Sequence, residues 1–262
     1  MKRCYVDIPE GQVHYQTDGS GQTLLLIHGT GMSSEEYCQI GPIMAKAFRV
    51  VAMDILGYGS SDRPPFEFRI EDYAQSIVHF LDALGIKRTS IVGNHGGSRI
   101  AVEVASVWPE RVDKLVLIGC PWYTLEERQA FSTDPRFRPM ELKDDGSFLM
   151  EMWQVLKSKR QSEIKPEVLC RLMAVSLMAG AGLLDLYQAA FQHDIEPRLR
   201  LIKSPTLLVS GSGDTFYGRL ETVSKLIPQC KTQVITGTGG LLCLEKPAEF
   251  AEVVLDFLKD RV

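Results

Sequence analysis

The segment of this 262-residue chain best equipped for chemistry has a histidine at its centre. In Ile91-Val92-Gly93-Asn94-His95-Gly96-Gly97-Ser98, an apolar run passes into a helical pattern. Gly at the first and fifth positions of residues 93–97 fits a sharp strand-to-helix turn that lifts its middle side chain above a sheet. That side chain is His95, and imidazole is the group best suited to accept and return a proton near neutral pH. A His held there at positive φ costs about 1–3 kcal/mol of backbone strain, a cost that decay to a small residue would avoid. A second run, His28-Gly29-Thr30-Gly31, follows apolar residues 24–27. Backbone N–H groups on such a turn point into a cleft at the carboxyl end of a sheet, where they stabilise a developing oxyanion. Thr30 and Gly96 are the expected donor pair, and His28 itself is expected to bond the backbone.

These residues need strands that end at one edge and helices that begin there. Short, near-continuous apolar or β-branched runs at residues 23–27, 49–53, 89–92, 114–118, 206–210 and 232–235 predict a mostly parallel sheet covered on both faces. Residues 4–8 and 12–16, with Pro9-Glu10-Gly11 between them, predict an antiparallel hairpin at its edge. Helices fill the gaps. Tyr73, Ile77, Phe80, Leu81 and Leu84 form one apolar stripe before Gly85, and Phe250, Val253, Val254, Phe257 and Leu258 form another after Pro247. Residues 121–200 carry a helical pattern without a strand signal, and hold five of the nine Met together with Trp122 and Trp153. They predict a helical lid inserted in a core made of residues 1–120 and 201–262, its thioethers and aromatics serving as packing or as the wall of an apolar pocket.

Composition narrows the classes of function. The chain is 45% hydrophobic and 24% charged, with net charge −4, and has no basic stripe, so nucleic acid is not an expected partner. The contiguous apolar runs are far shorter than a membrane span, and the charged start has no apolar stretch behind it, so neither membrane nor secretory targeting is expected. Six scattered cysteines and five unpaired histidines predict reduced, buried or half-buried thiols in a cytoplasmic protein without a structural metal. Residues 93–97 lack G-x-G-x-x-G spacing, so no nucleotide cofactor is implied. The expected partner is a small-molecule substrate; oligomeric state is left open.

Taken together, the motifs resemble the lidded α/β-hydrolase-fold superfamily. In register with its pattern are His28-Gly29, residues 54–62 (DILGYGSSD), Trp108-Pro109-Glu110-Arg111-Val112, residues 205–211 (PTLLVSG) with Asp214, and residues 244–250 (LEKPAEF). The resemblance covers nearly everything outside residues 121–200, and Gly93-Asn94-x-x-Gly97 is most similar to the elbow of meta-cleavage-product C–C hydrolases and related small-ester hydrolases. It implies a nucleophile at 95, an orienting acid at Asp214, and a histidine at 240. The chain has His95 at the first place and Gly240 at the last, so the triad is degenerate.

A Ser-based acyl-enzyme route therefore lacks its nucleophile, and Ser98 and Cys243 are expected to be packing residues. The resemblance implies instead that the His95 ring projects into the space vacated at Gly240 and meets Asp214. Gly29, Gly31, Trp122, Gly240 and Leu241 would line the pocket. The leading expectation is an enzyme that acts on a mostly apolar carbonyl compound by non-covalent acid/base chemistry: lyase, cyclisation, or water-mediated ester or lactone hydrolysis. The alternatives are a catalytically dead ligand-binding protein and an active-site variant of a Ser-type hydrolase.

Overall fold

The computed structural model describes residues 1–137 and 143–260. Eight strands form one sheet: β1 (Lys2–Ile8), β2 (Gly11–Asp18), β3 (Thr23–Ile27), β4 (Arg49–Met53), β5 (Thr89–Asn94), β6 (Val112–Ile118), β7 (Thr206–Gly211) and β8 (Cys230–Ile235). Their order is β1-β2-β4-β3-β5-β6-β7-β8. The β1–β2 hairpin sits at the edge and joins β4 antiparallel, and every pairing from β4 to β8 is parallel. Strands β3, β5 and β7 are buried at every residue. Each Leu, Ile or Val so enclosed contributes about 1.5–3 kcal/mol of hydrophobic stabilisation.

One face of the sheet packs on the helices Ile70–Ala83 and Gly96–Val107, the other on the helix Pro247–Lys259. Tyr73, Ile77, Phe80 and Leu81 form the buried stripe of the first, and Gly85, at φ +67°, follows its end. Between β6 and β7 the described residues form no strand. They form the helices Leu125–Thr133, Ser147–Ser158, Pro166–Ala179, Asp185–Gln192 and Glu196–Leu201. Residues 138–142 of the expected lid lie outside the described residues.

One expectation needs correction, and one needs an addition. Cys170 is exposed rather than buried or half-buried, because it faces outward on the helix Pro166–Ala179. The span Pro166–Gln192 contains an 18-residue window of mean hydropathy 1.6 and is long and apolar enough to cross a bilayer by length and composition, which contiguous apolar runs did not reveal. A turn at Gly180–Leu184, entered at Gly180 with φ +54°, divides it into two helices.

Candidate active site

The turn after β5 has the backbone of a nucleophile elbow. His95 lies at φ 44°, ψ −109°, and among the described residues no other non-glycine has positive φ. The two flanking glycines are required by close approach. A Cβ on Gly97 would lie 2.3 Å from the Ile27 carbonyl oxygen, and one on Gly93 would lie 2.6 Å from that of Gly97. His95 N–H donates to the Ile118 carbonyl oxygen at 2.9 Å, tying the turn to β6. Ser98 is fully buried and its hydroxyl donates to the Gly93 carbonyl oxygen at 2.6 Å; Cys243 is a core thiol that burial pushes well upward. Both are packing residues.

The His95 ring occupies the slot between Gly119 and Gly240. Added Cβ atoms there would lie 2.4 Å from Nε2 and 3.0 Å from Cε1 respectively. Nε2 is 2.7 Å from Asp214 Oδ2. The Asp214 side chain is wholly enclosed, whereas that of His95 is 20% exposed. Burial raises the Asp214 carboxyl, but the charge and hydrogen bond of His95 and a 2.7 Å bond from Phe216 N–H outweigh it, leaving the group below its ordinary value. The carboxylate accepts, so Nε2 donates; in the neutral ring that bond leaves Nδ1 with the lone pair. Phe216 packs edge-on against the ring at 5.4 Å.

A cavity of about 510 Å³ opens beside His95, walled by Trp122, Tyr123, Phe131, Phe137, Tyr187 and Phe216, with Gly240 at its floor. Arg136, Lys159 and Arg219 bring positive charge to this apolar wall; Arg219 stacks on Trp122 and pairs with Glu127. A second space of about 440 Å³, lined by Thr30, Gly31, Met152 and Leu156, shares Arg136, Lys159 and Tyr187 with the first. Thr30 and Gly96 are neighbours: a Cβ on Gly96 would lie 2.5 Å from Thr30 Oγ1. Among the described residues neither backbone N–H donates to a protein acceptor. A further cavity of about 500 Å³, between the β1–β2 hairpin and the helix Pro166–Ala179, is lined by His14, Asp54 and Arg171 and does not include His95.

Two expected wall residues lie elsewhere. Gly29 is held behind the turn, its N–H donating to Glu36 Oε2 at 2.8 Å. Leu241 packs with Met32, Leu156, Leu172 and Leu244 in a separate apolar cluster, because it closes the turn before Leu242–Glu245. His28 accepts from Ile55 N–H at Nε2 and donates from Nδ1 to the Gly29 carbonyl oxygen, so its ring is a brace. Sequence reasoning missed Lys159 and Arg136, which lie where no motif marks them, and Arg99. Fully buried, Arg99 donates to the carbonyl oxygens of Pro121 (2.9 Å) and His193 (2.7 Å), at the two ends of the helical stretch, and stacks on Tyr123.

An open, mostly parallel sheet, an elbow after its central strand and an imidazole–carboxylate pair at the carboxyl ends define a protein of hydrolase architecture. Residues 22–153 match the family described as the alpha/beta hydrolase fold, and the chain belongs to that family. It is 27% identical over 284 residues to 2-hydroxy-6-oxo-6-phenylhexa-2,4-dienoate hydrolase of Comamonas testosteroni, an alignment covering 97% of this chain and 94% of that one. Among solved structures it resembles a bacterial membrane phospholipase A (TM-score 0.85, 25% identity, 98% of this chain and 85% of that one). It also has the fold of the enol-lactonase from Burkholderia xenovorans LB400 (TM-score 0.82, 19% identity, 98% and 100%).

Proposed function

We propose that the chain is an enzyme that cleaves a mostly apolar small carbonyl compound by acid/base chemistry without a covalent intermediate. The observation that carries this is the 2.7 Å contact between Asp214 and a histidine standing in the nucleophile's place at positive φ. In this reading Asp214 holds Nε2–H and Nδ1 takes a proton from water as its oxygen adds to the carbonyl carbon. The oxyanion develops against the N–H groups of Thr30 and Gly96. As the C–C or C–O bond breaks, the imidazolium returns the proton to the departing atom. Residues 121–200 act as a lid whose aromatic wall takes the apolar body, while Lys159 suits an anionic end; Arg136 is already paired with Asp134. The names of the relatives support hydrolysis over elimination or cyclisation.

The test is turnover of a panel: 2-hydroxy-6-oxo-6-phenylhexa-2,4-dienoate, an enol lactone and 4-nitrophenyl butyrate, with wild type, His95→Ala and Asp214→Asn. The reading expects wild-type turnover of at least one compound and its loss in both variants. Binding without turnover by the wild type would identify a ligand-binding protein instead.

A further inference from the structure

Behind the elbow lies a carboxylate that the chemistry above does not use. Glu36 is 1% exposed, and the hydrogen bonds it accepts come from neutral donors: Gly29 N–H on Oε2 and the Asn94 side-chain amide on Oε1. A buried carboxylate so paired is costly. Burial pushes its carboxyl above the ordinary value, even though His95 and Lys159 on the cleft side, Gly29 N–H and the Asn94 amide oppose that. Tyr37 and Cys243, on its other side, are themselves pushed up partly by its charge.

The placement of those bonds explains what the cost sustains. Gly29 immediately precedes Thr30, and Asn94 precedes His95 and Gly96. One carboxylate thus grips both loops, next to the Thr30 and Gly96 N–H groups that donate to no protein acceptor among the described residues. We propose that Glu36 is a positioning residue, a strut that holds the Thr30 and Gly96 donors in register across the gap between the two loops. The inference rests on the oxyanion role given to those donors above. It requires reach more than charge. A Gln at 36 offers a carbonyl oxygen to Gly29 N–H and an amide to Asn94 Oδ1, a buried acceptor that has no partner at present. An Asp keeps the charge but is one methylene too short to serve both loops.

The experiment compares wild type, Glu36→Gln and Glu36→Asp as ¹⁵N-labelled full-length chains. It reads the backbone amide shifts and solvent exchange of Thr30 and Gly96 in the ligand-free protein. In Glu36→Asp both amides move and exchange about tenfold faster or more, whereas Glu36→Gln leaves both near their wild-type values. On any substrate the wild type turns over, Glu36→Asp lowers kcat about 100-fold with KM within about threefold, and Glu36→Gln stays within about threefold of wild type. A merely structural role would lower the melting temperature of Glu36→Asp and leave Thr30 and Gly96 unmoved, which overturns the proposal. So does the reverse order, with Gln damaging and Asp harmless, because charge would then be the requirement. The amide readings need no turnover, so they stand apart from the His95→Ala assay that decides the acid/base reading.

Discussion

His95 and Gly240 are complementary in space: the imidazole fills the volume that a side chain on residue 240 would enter, with 3.0 Å between His95 Cε1 and a Cβ built on Gly240. The ring that fills this space reaches Asp214, with Nε2 2.7 Å from Oδ2, so the side chains at 95, 214 and 240 share one packing problem.

That coupling predicts strong non-additivity. Gly240→His alone forces two rings into one slot and should abolish activity and lower stability by about 1–3 kcal/mol. The double variant His95→Ser with Gly240→His relieves the clash and restores a Ser-His-Asp order. It should melt well above Gly240→His and gain esterase activity on 4-nitrophenyl butyrate. Additive melting shifts from the two single variants would show that the positions are independent.

Asp214 gives a pH signature. Its folded carboxyl lies below the ordinary 3.8, so its stabilisation is fully present above that value and is lost as pH falls through the lower folded one. Asp214→Asn should remove this limb from the acid-unfolding curve. An unchanged acid limb in the variant would mean that the His95 contact contributes nothing.

Glu36 carries the opposite sign. Its carboxyl is raised above the ordinary 4.5, so the folded protein binds the extra proton and stability falls as pH climbs between those two values. Glu36→Gln should melt higher than wild type at pH 7, with the gap closing as pH drops toward 4.5. A gap that does not vary with pH would argue against a buried charge at 36.

Arg99 joins both ends of the helical stretch through the Pro121 and His193 carbonyl oxygens, with burial lowering the guanidinium to about 10, so it stays charged at neutral pH. Arg99→Met leaves those acceptors unpaired and should cost about 3 kcal/mol. Calorimetry should show a melting temperature lower by about 6–12 °C. Limited proteolysis should cut first within residues 121–200; cutting elsewhere at wild-type rate would show that Arg99 does not secure that stretch.

Much of this architecture was legible because a sheet buried on both faces leaves apolar runs that no surface element mimics. The predicted bounds of β3 and β4 match the observed ones, and β5 to β8 differ by at most two residues at either end. The elbow was legible for a steric reason, since only glycine fits where Gly97 meets the Ile27 and His28 carbonyl oxygens. The cleft wall was less so. Gly29 and Leu241 sit beside cleft-facing residues in sequence, yet one turn of backbone rotates each of them away from the cavity. Lys159 reaches the site from the far end of the helix Ser147–Ser158, and its carbonyl accepts Gly240 N–H at 2.8 Å, a long-range contact without a local pattern. Glu36 reads locally as an exposed acidic pair with Glu35, and only tertiary packing encloses it. The window of mean hydropathy 1.6 within Pro166–Gln192 escaped because isolated polar residues interrupt its apolar runs.

The central claim is that His95 moves the proton. The most direct measurement is kcat for wild type and His95→Ala on the compound the wild type turns over fastest, with intact-protein mass recorded during turnover. The account predicts a fall of about 100-fold or more in His95→Ala, a similar loss in Asp214→Asn, and no covalent adduct in the wild type. Wild-type kcat in His95→Ala, or an adduct mass during turnover, would contradict it.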